Sequence, residues 1–118
     1  MNTFFKLPLV FYPSKAAEDL QIYESMRWTS HFNAKDYSGE WDGIALRSAS
    51  GAAADILSHP DSGGYRNTPL LGRCPYFAEI LSLFDCEKES VRLLRLAPGA
   101  RIKEHKDVHA GYQYDFVT

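Results

Sequence analysis

The stretch at residues 91–107, VRLLRLAPGARIKEHKD, constrains the fold of this chain more than any other. Residues 91–97 form an aliphatic run broken only by Arg92 and Arg95, which suits a strand. Pro98-Gly99 follows. Proline presets φ for the first central position of a turn and glycine tolerates positive φ at the second, the chemistry of a type II turn. The spacing predicts an antiparallel hairpin in which residues 91–97 pair with residues 101–107. Side chains alternate along a strand, so Arg101, Lys103, His105, Asp107 and His109 share one face of the second arm, with Ile102, Glu104, Lys106 and Val108 on the other. His105 and Asp107 then project together. An imidazole and a carboxylate so placed supply two of the three ligands in the 2-His-1-carboxylate arrangement on Fe(II). The same spacing also fits a solvated face above a core made by Ile102 and Val108. His109 completes a triad only with a bulge, because the outer pair on a regular strand lies about 13 Å apart and metal bonds are about 2.1 Å.

The longer string carries a family resemblance. Arg92-Leu-Leu-Arg-Leu, then Ala-Pro-Gly99, then Ile102-Lys-Glu-His105-Lys-Asp107 resembles the first metal-ligand segment of the aspartyl/asparaginyl β-hydroxylase-like family of Fe(II)/2-oxoglutarate-dependent oxygenases. Trp41-Asp-Gly-Ile-Ala-Leu-Arg47-Ser48 and Thr68-Pro-Leu-Leu-Gly-Arg73-Cys-Pro75-Tyr-Phe are similar to bacterial members of that family. The resemblance implies a mainly β, α+β fold: a double-stranded β-helix (jelly roll, cupin-like) with flanking helices. It further implies Fe(II) held by His105, Asp107 and a distal His, with 2-oxoglutarate as co-substrate on a downstream Arg. The implied activity is a dioxygenase that hydroxylates an amino-acid or peptidyl side chain. No residue after Asp107 matches the distal His or that Arg. Residues 1–118 are therefore expected to be a single domain, the N-terminal portion of such an oxygenase, incomplete at its C-terminus and inactive alone. The competing expectation is a non-catalytic small α/β binding or interaction module without a working iron site.

Charge and composition narrow the partners. A formal net charge of -2 gives no electrostatic footprint for nucleic acid. Arg92, Arg95, Arg101, Lys103 and Lys106 do gather positive charge near the His/Asp pair. That cluster suits either a solvated face or a cleft attracting an anionic co-substrate or an acidic small-molecule or peptide substrate. Hydrophobic residues at 45% and charged residues at 24% are globular values and indicate neither disorder nor a membrane protein. The apolar N-terminal run is interrupted by Lys6 and Pro8 and lacks a cleavage site, so it is not a convincing signal peptide. Cys74 and Cys86 are too few and too far apart for a disulfide framework; reduced thiols in a cytoplasm are expected.

Elsewhere, residues 7–11 suit a first strand, an edge strand given Pro8. Pro13-Ser14 opens a helix with Ser14 as N-cap, with Glu18 and Asp19 favoured by the helix dipole and Ala16, Leu20, Tyr23 and Met26 on its buried stripe. The aromatics between Trp28 and Trp41 suit a pocket lining or a core equally, and His31 reads as a structural histidine. Residues 43–47 alternate as a strand, and Arg47 suits either an ion pair or an acidic ligand. Residues 49–68 suit a long loop with one helical turn at 52–57, either a lid or binding loop that Gly63-Gly64 would let move or an irregular connection. Pro75 starts a second helix that buries Phe77, Ile80, Leu81 and Phe84. The tail GYQYDFVT alternates as a strand would, and an unpaired edge there predicts self-association.

Overall fold

Every other element is placed by one strand, β3 (Trp41–Ser48), which is buried along nearly its whole length. The computed structural model describes residues 4–57 and 64–105. Within them the order is α1 (Pro13–Glu24), β1 (Thr29–Ser30), a 3-10 turn (Ala34–Asp36), β2 (Tyr37–Ser38), β3, β4 (Arg66–Asn67), a second 3-10 turn (Leu71–Arg73), α2 (Pro75–Ser82), β5 (Val91–Leu96) and β6 (Arg101–Ile102). The chain is an α+β protein with antiparallel sheets. β1, β4 and β5 all pair with β3, and β2 pairs with β6 in a second, two-stranded sheet.

Strand β3 is buried because both of its faces are covered. Residues opposite one another in an antiparallel pair share a face. Ile44 lies opposite Leu93, and this side meets the helices in a core of Tyr23, Ile44, Leu46, Leu71 and Cys74, flanked by Trp28, Phe77, Leu81 and Val91. The other face carries Trp41, Gly43 and Ala45 opposite Leu96, Leu94 and Arg92. The segment before residue 58 closes part of it. Ala45 N donates to Ala53 O (2.8 Å), Thr29 Oγ1 to Ala54 O (3.3 Å) and Arg92 Nη1 to Ile56 O (2.8 Å).

Among the described residues, the expected pairing of residues 91–97 with the strand that starts at residue 101 does not form. The turn itself does: Ala100 N donates to Ala97 O (3.0 Å) and Gly99 has φ +80°. A type II turn splays its arms against the right-handed twist of the strands. β5 therefore pairs with β3, and β6 with β2. Between the Ser38–Arg101 and Trp41–Leu96 pairs, residues 39–40 lie opposite residues 97–100. Ala97 N bonds to Glu40 O (3.0 Å) across that gap, and Lys103 N bonds to Asp36 O (2.7 Å) beyond the far end of the β2–β6 pair. The Pro-Gly turn is thus a bulge at the corner of one bent, two-stranded ladder. β6 ends at Ile102 and the chain bends at Glu104, so strand alternation does not run on to residue 105.

The N-terminal expectations also change. Residues 4–12 form no strand, and Phe4, Phe5, Leu7 and Val10 are exposed. Pro13 occupies the first turn of α1, but Tyr12, not Ser14, is its N-cap and no side chain caps it. The buried face of α1 is Asp19 and Tyr23 with Ile22 and Met26 beside them, while Leu20 is exposed. The face turns because Asp19 has a partner on the far helix. Its Oδ2 accepts from Tyr76 N (2.8 Å) and Phe77 N (3.0 Å), capping α2, whose own N-cap residue, Cys74, makes no side-chain capping bond and instead donates its thiol to Asp19 O (3.6 Å). Two of the amide donors left over at a helix start are thereby satisfied inside the protein. In α2, Phe77 and Leu81 face the core as expected, Tyr76 is buried as well, and the helix ends before Phe84.

Candidate functional site

The corner between β2 and β3 collects aromatic rings because Tyr37 and Trp41 flank it on one side of the ladder. Their rings meet edge to face, 5.4 Å apart. His31, leaving β1, lies flat on Trp41 (3.7 Å, 6°), with Phe32 stacked on it from its own side (4.4 Å, 19°). Backbone bonds fix the group: His31 N donates to Trp41 O (2.8 Å) and Tyr37 Oη to His31 O (3.0 Å). His31 Nδ1 accepts from Asn33 N (3.3 Å). His31 is a packed and hydrogen-bonded histidine, as its sequence setting suggests.

β6 delivers His105 to this corner. Ile102 lies opposite Tyr37, Lys103 N is held by Asp36 O, and Lys103 O is 2.7 Å from His105 Nδ1. A carbonyl only accepts, so Nδ1 carries the proton and in the neutral ring the lone pair sits on Nε2. Metal-ligating histidines usually donate their other ring N–H to such an acceptor. The His105 ring stands 6.5 Å from Trp41 at 55°. The His105 Nδ1–Lys103 O bond is of that kind. Asp107, the second expected ligand, lies outside the described residues, as do Lys106 and His109. Among the described residues there is no group of three or more His, Cys, Asp or Glu able to hold a metal.

The expected cluster of positive charge is divided by the strand. Arg92 and Arg95 lie on opposite faces of β5. Arg92 ties down Ile56 O, whereas Arg95 makes a two-pronged pair with Asp42 (2.9 and 2.6 Å) and lies over the Trp28 ring (4.6 Å). Hydrogen bonding to Asp42 holds the Arg95 guanidinium protonated beyond its already high range. Arg101 and Lys103 remain exposed near His105. Arg47 joins loops: it donates to Asn67 Oδ1, Tyr65 O and Lys88 O. Its guanidinium serves as a brace for residues 64–68 and 88.

The two cysteines differ in setting. Cys74 is fully buried beside Tyr23, and burial pushes its thiol above the ordinary range; Cys86 is exposed and free. Burial likewise pushes the Tyr23 phenol up. Neither buried group is placed for nucleophilic chemistry, which requires an accessible, electropositive setting. No helix among the described residues is long and apolar enough to cross a membrane.

The Trp41–His31 stack was not singled out by sequence reasoning. Its signal was available only as an aromatic-rich segment, since the stacking depends on β1 pairing with β3. No protein-family model, curated protein or solved structure matches this chain.

Proposed function

We propose that this protein is an Fe(II)/2-oxoglutarate-dependent dioxygenase of the aspartyl/asparaginyl β-hydroxylase-like type, hydroxylating an amino-acid or peptidyl side chain. The observation that carries the reading is His105: the first histidine of the family-like string leaves a sheet edge with Nδ1 bonded to Lys103 O. Under this reading His105 and Asp107 hold the iron. The bent ladder of residues 36–48 and 91–103 is one wall of a jelly roll, and its face bearing Trp41, Leu94, Leu96 and Ile102 looks inward. Leu94 (48%), Leu96 (45%) and Ile102 (44%) are exposed, as apolar residues on the inner side of a single wall would be. When bound, iron would supply oxygen activation coupled to oxidation of 2-oxoglutarate. The chain's own residues orient the ligand imidazole through Lys103 and stand Trp41 beside it.

Succinate formation from 2-oxoglutarate tests this in the protein as the cell makes it. Turnover that requires Fe(II) and is abolished by His105→Ala and by Asp107→Ala is the expected result. Turnover that is absent, or unchanged with Ala at both positions, contradicts it.

A non-catalytic binding module is the second reading, favoured by the same exposed row of Leu94, Leu96 and Ile102. Among the described residues β5 pairs with β3 alone, so self-association along that edge belongs to this reading. Light scattering of the parent beside Leu96→Lys separates the two: association that the lysine abolishes, without metal dependence, favours the module.

A further inference from the structure

We propose that Trp41 is a positioning residue for His105, and that the His31 and Tyr37 rings packed against it help to fix the imidazole nitrogen His105 presents. This rests on the reading of His105 as an iron ligand. Lys103 is held by its N–H on Asp36 O (2.7 Å), and its carbonyl takes the Nδ1–H of His105 (2.7 Å). That carbonyl selects the tautomer with the lone pair on Nε2 only while the ring stays turned toward it. The Trp41 ring stands 6.5 Å away, tilted by 55°, on one side of the exposed imidazole. Trp41 can act as a wall because it is itself immobile. It is buried, covered flat by His31 at 3.7 Å, and met by the edge of Tyr37 at 5.4 Å. Tyr37 Oη to His31 O (3.0 Å) and His31 N to Trp41 O (2.8 Å) tie these three rings into one unit. Tyr37 and Trp41 of this unit and the Asp36 carbonyl that holds Lys103 N all lie in one short stretch, residues 36–41.

The test uses the full chain labelled with 15N at about pH 8, where imidazoles are neutral, reading the His105 tautomer from two-bond 1H–15N correlations. Co(II) titration is the second arm. The parent is expected to show the Nδ1–H tautomer. Trp41→Ala is expected to move His105 toward the Nε2–H form and to weaken Co(II) binding by about tenfold or more, the size of effect seen when an orienting partner of a metal ligand is lost. Trp41→Phe is expected to restore both. Should truncating a buried Trp cost the fold, Tyr37→Leu removes two edge contacts, to Trp41 and His31, and one hydroxyl bond and is expected to shift the tautomer the same way. An unchanged tautomer in these variants overturns the positioning role, even where Co(II) binds. A tautomer that shifts in a protein that binds no Co(II) supports the positioning role and overturns the iron reading instead.

Discussion

Gly39 and Gly99 both sit at left-handed φ, +82° and +80°, in unequal surroundings. A Cβ at Gly39 would meet Ala100 Cβ at 2.7 Å and Cα at 2.8 Å, whereas one at Gly99 would meet nothing within 4 Å. Gly99→Ala is therefore expected to lose only the conformational penalty, about 1–2 kcal/mol. Gly39→Ala adds a backbone clash at the ladder's corner and is expected to cost about 3 kcal/mol or more. Urea unfolding of the two variants checks the order; equal losses would mean the corner yields freely. Cys74 gives a pH prediction. Its thiol is held above the ordinary range in the folded chain by burial, so the unfolded chain releases that proton first. The stability Cys74 contributes is thus full below the unfolded thiol's value, about 8.5, and declines as pH rises above it toward the folded value. Urea midpoints measured upward from neutral pH are expected to fall less steeply in Cys74→Ala than in the parent. At this scale Pro98-Gly99 was legible because turn chemistry is local. The need for glycine at position 39 was not, since it arises from Ala100, a neighbour only after pairing.

The helices and central strands were legible as elements because Pro13, Pro75 and the apolar periodicities act within a few residues. Their partners were not. The turn at Pro98-Gly99 was expected to close a hairpin, yet the type II geometry read from the same two residues is the reason its arms diverge to β3 and β2. Asp19 shows the same limit. An acidic residue with affinity for a helix N-terminus was recognisable, but the helix it caps is α2 rather than its own. Removing it leaves two amide donors at the start of α2 without their carboxylate. Asp19→Ala is expected to cost about 2–3 kcal/mol, and Asp19→Asn, which keeps an acceptor, clearly less. Urea midpoints at unchanged m-value measure this; a loss within about 0.5 kcal/mol for Asp19→Ala would show the cap to be dispensable. The run at residues 7–11 failed as a strand for a related reason: β-propensity needs a partner edge, and no strand pairs with it among the described residues.

Across the molecule, the expectation of an α+β chain built on antiparallel sheet agrees with the structure. The closed jelly roll belongs to the proposed function. Two helices and the loop before residue 58 cover the central strand from opposite sides, and the corner of the ladder gathers His105, Trp41 and the His31 stack. His105 was a candidate because of the family-like string around it. The aromatic wall beside it was not, because it requires β1, β2 and β3 to meet. The central claim is that His105 and Asp107 together ligate a divalent metal. A Co(II) absorption titration of the protein as the cell makes it, beside His105→Ala, Asp107→Ala and the double variant, tests it most directly. Saturable ligand-field bands in the parent, lost in each single variant, are the predicted result. Bands that persist in the double variant, or a parent that shows none, would contradict it.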